Sequence, residues 1–292
     1  MRWFFYGILI ICFSWNVEAK EPKARELIIY SLINEPIDVV IPCTKKDVPL
    51  LELCIQGIRD QCSQIRRVIV LSPERYTDQA EWYDERDFPF SKQDVAFYLC
   101  GEDQEKANDY LQVKDSRIGW YFQQLLKMYV PFVIPGISSN VLMLDADTIF
   151  LNPVTFMNES GEGFYNPGTE YNYHYFNHIN LLTGNQLKKI FPFYSGISHH
   201  MLFQKAFLED LFYRVETLHQ RPFWQVFSLC VQAETLYTSG ASEYELYFNF
   251  IFSNSRQPKI RLLRWQNIHN LQHLASFRYH GYHYVSCHQR NE

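Results

Sequence analysis

The chain lacks an excess of positive charge. Its 27 Lys and Arg are outnumbered by 32 Asp and Glu, giving a net charge of -5. A nucleic-acid backbone is neutralised by clustered Lys and Arg, so nucleic acid is not an expected partner. Beyond the first fifteen residues there is no long apolar run, which excludes a polytopic membrane protein. Seven cysteines are present, but no Cys-x-x-Cys pair and no zinc-ligand spacing. No internal repeat, low-complexity tract or Gly/Ser linker divides the 292 residues. With 47% hydrophobic and 20% charged residues, disorder is also excluded. A single compact domain with a large core is expected. What the chain has in quantity is aromatic side chains, 17% of residues, including 20 Tyr and 23 Phe. Most should pack the core, with amphipathic Tyr at its edges, and part can form a stacking surface for flat or sugar-like ligands.

Met1-Arg2 gives a short positive end, Trp3 to Trp15 is uncharged and mostly apolar, and Val17-Glu18-Ala19 has small residues at signal-peptidase spacing. Residues 1–19 therefore read as a signal peptide or short N-terminal anchor, implying export or the secretory pathway and a possible membrane association. If the segment is instead a buried N-terminal element, the protein is cytoplasmic. Asn158-Glu159-Ser160 is a glycosylation sequon. Cys43, Cys54, Cys62, Cys100, Cys230 and Cys287 remain after the leader, and their spacing assigns no pairing.

Residues 20–36 read as a polar, then mixed, leader. Ile37 to Pro42 is an apolar strand, and Leu51, Cys54, Ile55 and Ile58 recur at helical spacing after the loop Cys43 to Asp47. Val68 to Leu71 is a second strand and Val95 to Leu99 a third. Continuous apolar strands alternating with helices predict a mostly parallel sheet covered on both faces. Arg117 to Tyr129 is the clearest helix. One stripe holds Ile118, Tyr121, Phe122, Leu125, Leu126 and Tyr129, and its neighbour holds Arg117, Trp120, Gln124 and Lys127. Val141 to Leu144 is a further buried strand. Helices are expected near 204–219, 222–234 and 243–252, and the tail 282–288 alternates as a strand.

The strand 141–144 runs directly into Asp145-Ala146-Asp147. On an extended backbone, residues two apart project to one side, so both carboxylates can share one hard divalent ion. Open α/β sheets bind ligands beyond the carboxyl ends of their strands. A magnesium-like ion there keeps open positions for phosphate oxygens.

These residues resemble the GT-A class of nucleotide-sugar-dependent glycosyltransferases. The segments Arg117-Ile118-Gly119-Trp120-Tyr121-Phe122-Gln123-Gln124-Leu125-Leu126-Lys127, Ser195-Gly196-Ile197-Ser198-His199-His200-Met201-Leu202-Phe203, Ser242-Glu243-Tyr244-Glu245-Leu246-Tyr247 and Tyr284-Val285-Ser286-Cys287-His288 are similar to a bacterial and viral family of that class. The resemblance covers roughly residue 37 to the C-terminus. It implies a GT-A-like α/β domain over 37–292, with a nucleotide-binding half at 37–150 and an acceptor half at 151–292. The implied activity moves a sugar from a nucleotide-sugar donor to an acceptor of unknown class (glycan, lipid or protein), assisted by Mn²⁺ or Mg²⁺. The implied metal ligands are Asp145, Asp147 and His288, with His283 as the alternative histidine. Thr44, Lys45, Gln124 and Lys127 join the two aspartates at the donor. Glu243 or Glu245 is implied as the general base, and Trp120, His199 and His200 as acceptor contacts. Since neighbours on a strand face opposite ways, only one of the two histidines should line the site.

Two other readings follow from the same residues. One is a carbohydrate-binding protein of this fold without turnover. The other is an aspartate-nucleophile phosphohydrolase, with Asp145 attacking phosphorus and Asp147 as acid/base. That motif sits on a first strand and continues with Gly-Thr or Gly-Val, whereas here Thr148-Ile149 follows and two strands precede.

Overall fold

The computed structural model describes residues 27–288. The signal-like segment lies outside the described residues. Residues 27–36 have no regular structure but are anchored: Ile28 N–H donates to the Asn254 carbonyl, and the Tyr30 ring packs 4.4 Å from that of Phe207.

Six consecutive buried residues form β1 (Ile37–Pro42). The one charge among them, Asp38, is held by Arg66 from Nε at 2.9 Å and Nη2 at 2.6 Å, and by the Ser138 N–H at 2.9 Å. A fully buried carboxylate is tolerated only with such partners. Helix α1 (Val48–Gln61) buries the expected Leu51, Cys54, Ile55 and Ile58. Gly57 lets it lie against the backbone of residue 150, where a Cβ would sit 2.8 Å from the Phe150 carbonyl oxygen. Next come β2 (Ile65–Ser72) and β3 (Glu81–Asp84). Val95 to Leu99 is not a strand. It belongs to α2 (Lys92–Leu99), where the Ser91 and Asp94 side chains each bond the other's backbone N–H. That capping box outweighs the strand preference of five apolar residues. The third strand position is taken by the mixed sequence of β3, at the sheet edge.

After α3 (Gln104–Gln112) comes α4 (Ile118–Val133), which continues past Pro131 because Ile134 N–H still reaches the Val130 carbonyl at 3.3 Å. Then follow β4 (Asn140–Leu144) and β5 (Thr148–Phe150). The second half contains β6 (Phe164–Tyr165), α5 (Tyr173–Leu182), β7 (His200–Gln204), α6 (Lys205–His219), α7 (Phe223–Leu229) and α8 (Glu243–Asn254). Helix α7 stops short of the expected 234, and a separate turn forms at Ala233–Thr235. The chain ends through β8 (Lys259–Ile260), β9 (Trp265–Ile268), α9 (Leu274–Tyr279) and β10 (Tyr284–Cys287).

The fold is a mixed α/β domain with a central, mostly parallel sheet flanked by helices. Strand order is β3-β2-β1-β4-β7, with only β7 antiparallel. The chain leaves β1 in one direction to reach β2 and later returns across it to β4. Right-handed crossovers in opposite directions put α1 and α4 on opposite faces. The carboxyl ends of β1 and β4 therefore flank the topological switch point. A second sheet, β5-β10-β9, carries the C-terminal segment back to the end of β4, where Cys287 N–H donates to the Asp147 carbonyl at 2.9 Å. All six described cysteines are free thiols. No helix among the described residues is long and apolar enough to cross a membrane.

Strand β7 decides the histidine pair. His200 points into the core, 4% exposed, with ring centroids 5.1–5.5 Å from Phe150, Phe156 and Tyr284. It is a packed core residue and not an acceptor contact. Burial, aided by nearby Arg261, pushes its pKa down to about 3. Buried His178 is likewise pushed down to about 4. Both must stay neutral in the folded state, so their stabilising effect is complete above pH 6.5 and is lost as pH falls toward their folded values. The loss is up to ~1.4 kcal/mol per pH unit for each histidine. His200→Phe should fold at pH 7 and lose ~2 kcal/mol less than wild type between pH 6.5 and 4.5. Denaturant unfolding at both pH values checks this; equal losses would mean that His200 accepts a proton in place.

Candidate active site

The loop after β1, the turn after β4, one face of α4 and the first turn of α8 converge on a cleft of about 400 Å³. Each wall follows from local structure. In the first loop, Thr44 N–H and Oγ1 both donate to Asp47 Oδ2, which folds residues 44–47 into a tight turn. Thr44, Lys46 and Asp47 line the cleft. Lys45 is exposed and does not line it.

The second stripe of α4 faces this cleft. Arg117, Trp120, Gln124 and Lys127 all line it, while Tyr121, Leu125 and Leu126 on the neighbouring stripe are buried in the core. Arg117 stacks over the Trp120 ring at 4.8 Å. Gln124 Oε1 accepts the Glu243 N–H at 3.1 Å, at the start of α8.

Asp145-Ala146-Asp147 is a turn and not an extended segment, since Thr148 N–H donates to the Asp145 carbonyl at 3.0 Å. The same-side argument for two carboxylates on a strand therefore does not apply. Within one cleft the two side chains face different partners. Asp145 Oδ1 accepts from Lys127 Nζ at 2.9 Å. Asp147 Oδ1 accepts from Ser286 Oγ at 3.1 Å, and its Oδ2 lies 3.3 Å from His288 Nδ1. Burial, then the nearby Asp145 charge, raises the Asp147 pKa, while His288 and Ser286 oppose the rise.

Lys127 is only 5% exposed and bridges two elements, because its Nζ also donates to Glu243 Oε1 at 2.9 Å. It sits 4.2 Å over the Tyr244 ring. Burial opposes its charge, but Asp145 and Glu243 outweigh burial and hold the ammonium well above its ordinary pKa.

The sequence candidates separate cleanly. Thr44, Trp120, Gln124, Lys127, Asp145, Asp147, His199, Glu243 and His288 line the cleft. Lys45, His200, His283 and Glu245 do not. His283 is bound to the backbone, its Nδ1 accepting from Arg264 N–H at 3.0 Å. Glu245 is buried on another side of α8, where it accepts Gly196 N–H and bonds Asn249 Nδ2 at 3.0 Å. There α8 meets the 195–199 segment at van der Waals limits: a Cβ on Gly196 would lie 2.4 Å from the Tyr244 carbonyl oxygen. His199 is brought to the cleft beside β4 by its carbonyl, which accepts Asp145 N–H at 3.0 Å. Burial lowers the His199 pKa against the pull of Asp145.

Also lining the cleft are Lys46 and Asp47 of the loop after β1, the aromatic residues Tyr175 and Tyr244, and Ile197 and Ser198, which were not candidates in themselves. Lys46, Ser198 and Tyr244 stand beside candidates in the same motifs, so only the direction of each side chain was missing. Among the described residues, three buried polar atoms in the lining have no hydrogen-bond partner: Arg117 Nε, Trp120 Nε1 and Gln124 Nε2. Each such atom costs about 1–3 kcal/mol when left unpaired. A ligand rich in acceptor oxygens would satisfy them.

Among the described residues no group of three or more His, Cys, Asp or Glu is arranged to hold a metal ion. Magnesium-like ions are commonly held by one or two carboxylates and completed by phosphate oxygens and water. Asp145 and Asp147 are two carboxylates of that kind, and His288 Nδ1 lies 3.3 Å from Asp147 Oδ2.

No family model matches the chain, and no curated protein matches it. Among solved structures, the chain is similar to the apo form of mouse xyloside xylosyltransferase 1, at 9% identity and a TM-score of 0.39. The match covers 86% of this chain and 97% of that one.

Glu245→Ala should lower the unfolding free energy by ~1–3 kcal/mol, because it leaves the Gly196 N–H without its acceptor. Denaturant titration measures the loss. A variant as stable as wild type would show that this bond does not hold the 195–199 segment.

Proposed function

We infer that the protein transfers a sugar from a nucleotide-sugar donor to an acceptor hydroxyl, in a reaction assisted by Mn²⁺ or Mg²⁺. One observation carries the reading. Residues as distant in sequence as Thr44 and His288 line a single cleft at the switch point of the sheet, and Lys127 bridges Asp145 and Glu243 within it. The cleft's unpaired donors suit phosphate and sugar oxygens.

Charge supports the need for a cation. Asp47, Asp145, Asp147 and Glu243 line the cleft against Lys46, Arg117 and Lys127. An anionic diphosphate entering a cleft with surplus carboxylate needs added positive charge. Asp147 and His288 would hold a divalent ion, with Asp145 adjacent. The ion would supply charge stabilisation to the departing diphosphate. Lys127, bonded to Asp145, would add a point charge there, and Gln124 Nε2 would orient donor oxygens.

Glu243 is the proposed general base. Its Oε1 is fixed by Lys127 and its backbone N–H by Gln124, which leaves Oε2 to accept a proton. As the acceptor oxygen bonds to the anomeric carbon, the bond from that carbon to the diphosphate breaks and the hydroxyl proton passes to Oε2. Trp120 and His199 are the proposed acceptor contacts.

Calorimetric titration with a panel of nucleotide sugars plus Mn²⁺ tests the reading. Asp145→Asn and Asp147→Asn should each weaken metal-dependent donor binding at least ~tenfold. Glu243→Gln should keep donor binding and lose transfer by ~10²–10⁴-fold. Unchanged binding in both aspartate variants would remove the metal-assisted donor site. Donor binding without transfer in wild type, across a broad acceptor set, would favour the carbohydrate-binding alternative.

A further inference from the structure

A second, shallow depression of about 660 Å³ lies outside the cleft, lined by Thr169, Tyr171, Lys189, Pro192 and Phe193. Its rings are unusually open to water: Phe193 is 84% exposed and Tyr171 62%. Clustered exposed aromatics mark contact surfaces. Tyr171 is held in place from below, its ring stacked on Phe176 with centroids 5.6 Å apart and planes 20° apart. Lys189 reaches over the same ring at 4.7 Å and donates to the Pro192 carbonyl at 3.2 Å, which ties the two sides of the depression together. Phe193 has no aromatic partner among the described residues.

Two chain segments connect the depression to the cleft. One runs from Thr169 and Tyr171 to Tyr175, and the other from Pro192 and Phe193 to Ile197, Ser198 and His199. Each lines the depression at one end and the cleft at the other. The two are clamped side by side by reciprocal backbone bonds between Gly168 and Ser195, at 2.9 and 3.0 Å. Gly168 is required there, since a Cβ would lie 2.0 Å from the Ile197 carbonyl oxygen.

We propose that this aromatic depression binds the acceptor and that the acceptor is an oligosaccharide, several sugar units long, whose reacting end enters the cleft beside His199. The proposal rests on the transferase reading for the identity of the cleft. The exposed rings of Tyr171 and Phe193 offer apolar surface to the apolar faces of pyranose rings, and Thr169 and Lys189 offer hydrogen bonds at the rim. The depression is open and polar-rimmed, whereas a lipid chain needs an enclosed apolar channel.

The test uses the whole protein and a panel of immobilised linear oligosaccharides, one to six units of glucose, galactose, mannose or N-acetylglucosamine. Phosphatidylcholine vesicles and an unfolded carboxymethylated protein form the other arms. At least one oligosaccharide of three or more units should bind more tightly than its monosaccharide. Tyr171→Ala with Phe193→Ala should weaken that binding at least ~tenfold, and Tyr171→Phe should retain it. Absence of oligosaccharide binding, equal binding by the double variant, or binding of only the vesicles or the unfolded protein overturns the proposal. A parallel titration of wild type with nucleotide sugars separates the two readings. Oligosaccharide binding without nucleotide-sugar binding upholds this surface and ends the transferase reading.

Discussion

Lys127 places a charged ammonium where water barely reaches, and its partners fix how the rest of the cleft is built. An unpaired charge in that position would cost several kcal/mol. It is matched by Asp145 from the turn after β4 and by Glu243 from the first turn of α8, both at 2.9 Å. The ammonium thereby holds three elements together: α4 within the first half of the chain, the end of the central sheet, and a helix more than one hundred residues later. Gln124, one turn before Lys127 on α4, repeats the link by accepting the Glu243 backbone N–H. The proposed base therefore has a fixed direction, with one carboxylate oxygen engaged and one left for chemistry.

Other constraints carry the remaining walls to the same place. The small sheet β5-β10-β9 brings Ser286 and His288 to Asp147. Antiparallel pairing of β7 with β4 sets His199 beside Asp145. Glu245 binds the Gly196 N–H and seats the 195–199 segment on α8, at a glycine where no side chain would fit. The Gly168–Ser195 clamp then extends that segment outward into the aromatic depression. Polar side chains that do no chemistry in this account still set the positions of those proposed to do it.

Much of this arrangement was legible in the residues. Strand β1 has the bounds its apolar run predicts, and the i, i+3, i+4, i+7 spacing of Leu51, Cys54, Ile55 and Ile58 marks the buried face of α1. The mixed stripe Arg117, Trp120, Gln124 and Lys127 was visible as something other than a solvent face, and it lines the cleft. What was not legible is mainly direction. Glu243 and Glu245 are both acidic residues at a helix start, yet side chains two residues apart on a helix point to nearly opposite sides, so one faces Lys127 and the other Gly196. The same loss separates Lys46 from Lys45 and His199 from His200, because a turn or strand aims adjacent side chains differently. Periodicity also cannot separate a short apolar strand from a short capped helix, which is why Val95 to Leu99 misleads. The Asp145-to-Asp147 turn depends on one backbone hydrogen bond that composition does not reveal. Part of the high aromatic content acquires a place outside the core, in the exposed rings of Tyr171, Tyr173 and Phe193.

The most direct measurement is a double-mutant cycle on unfolding free energy, using Lys127→Met, Glu243→Gln and the double variant. If the buried ammonium couples α4 to α8, Lys127→Met alone should cost ~3–5 kcal/mol, since it strands two carboxylates. The pair should then show a coupling of ~1–3 kcal/mol. Two substitutions that add to within ~0.5 kcal/mol would contradict the account, because Lys127 and Glu243 would then not share the interaction on which the cleft depends.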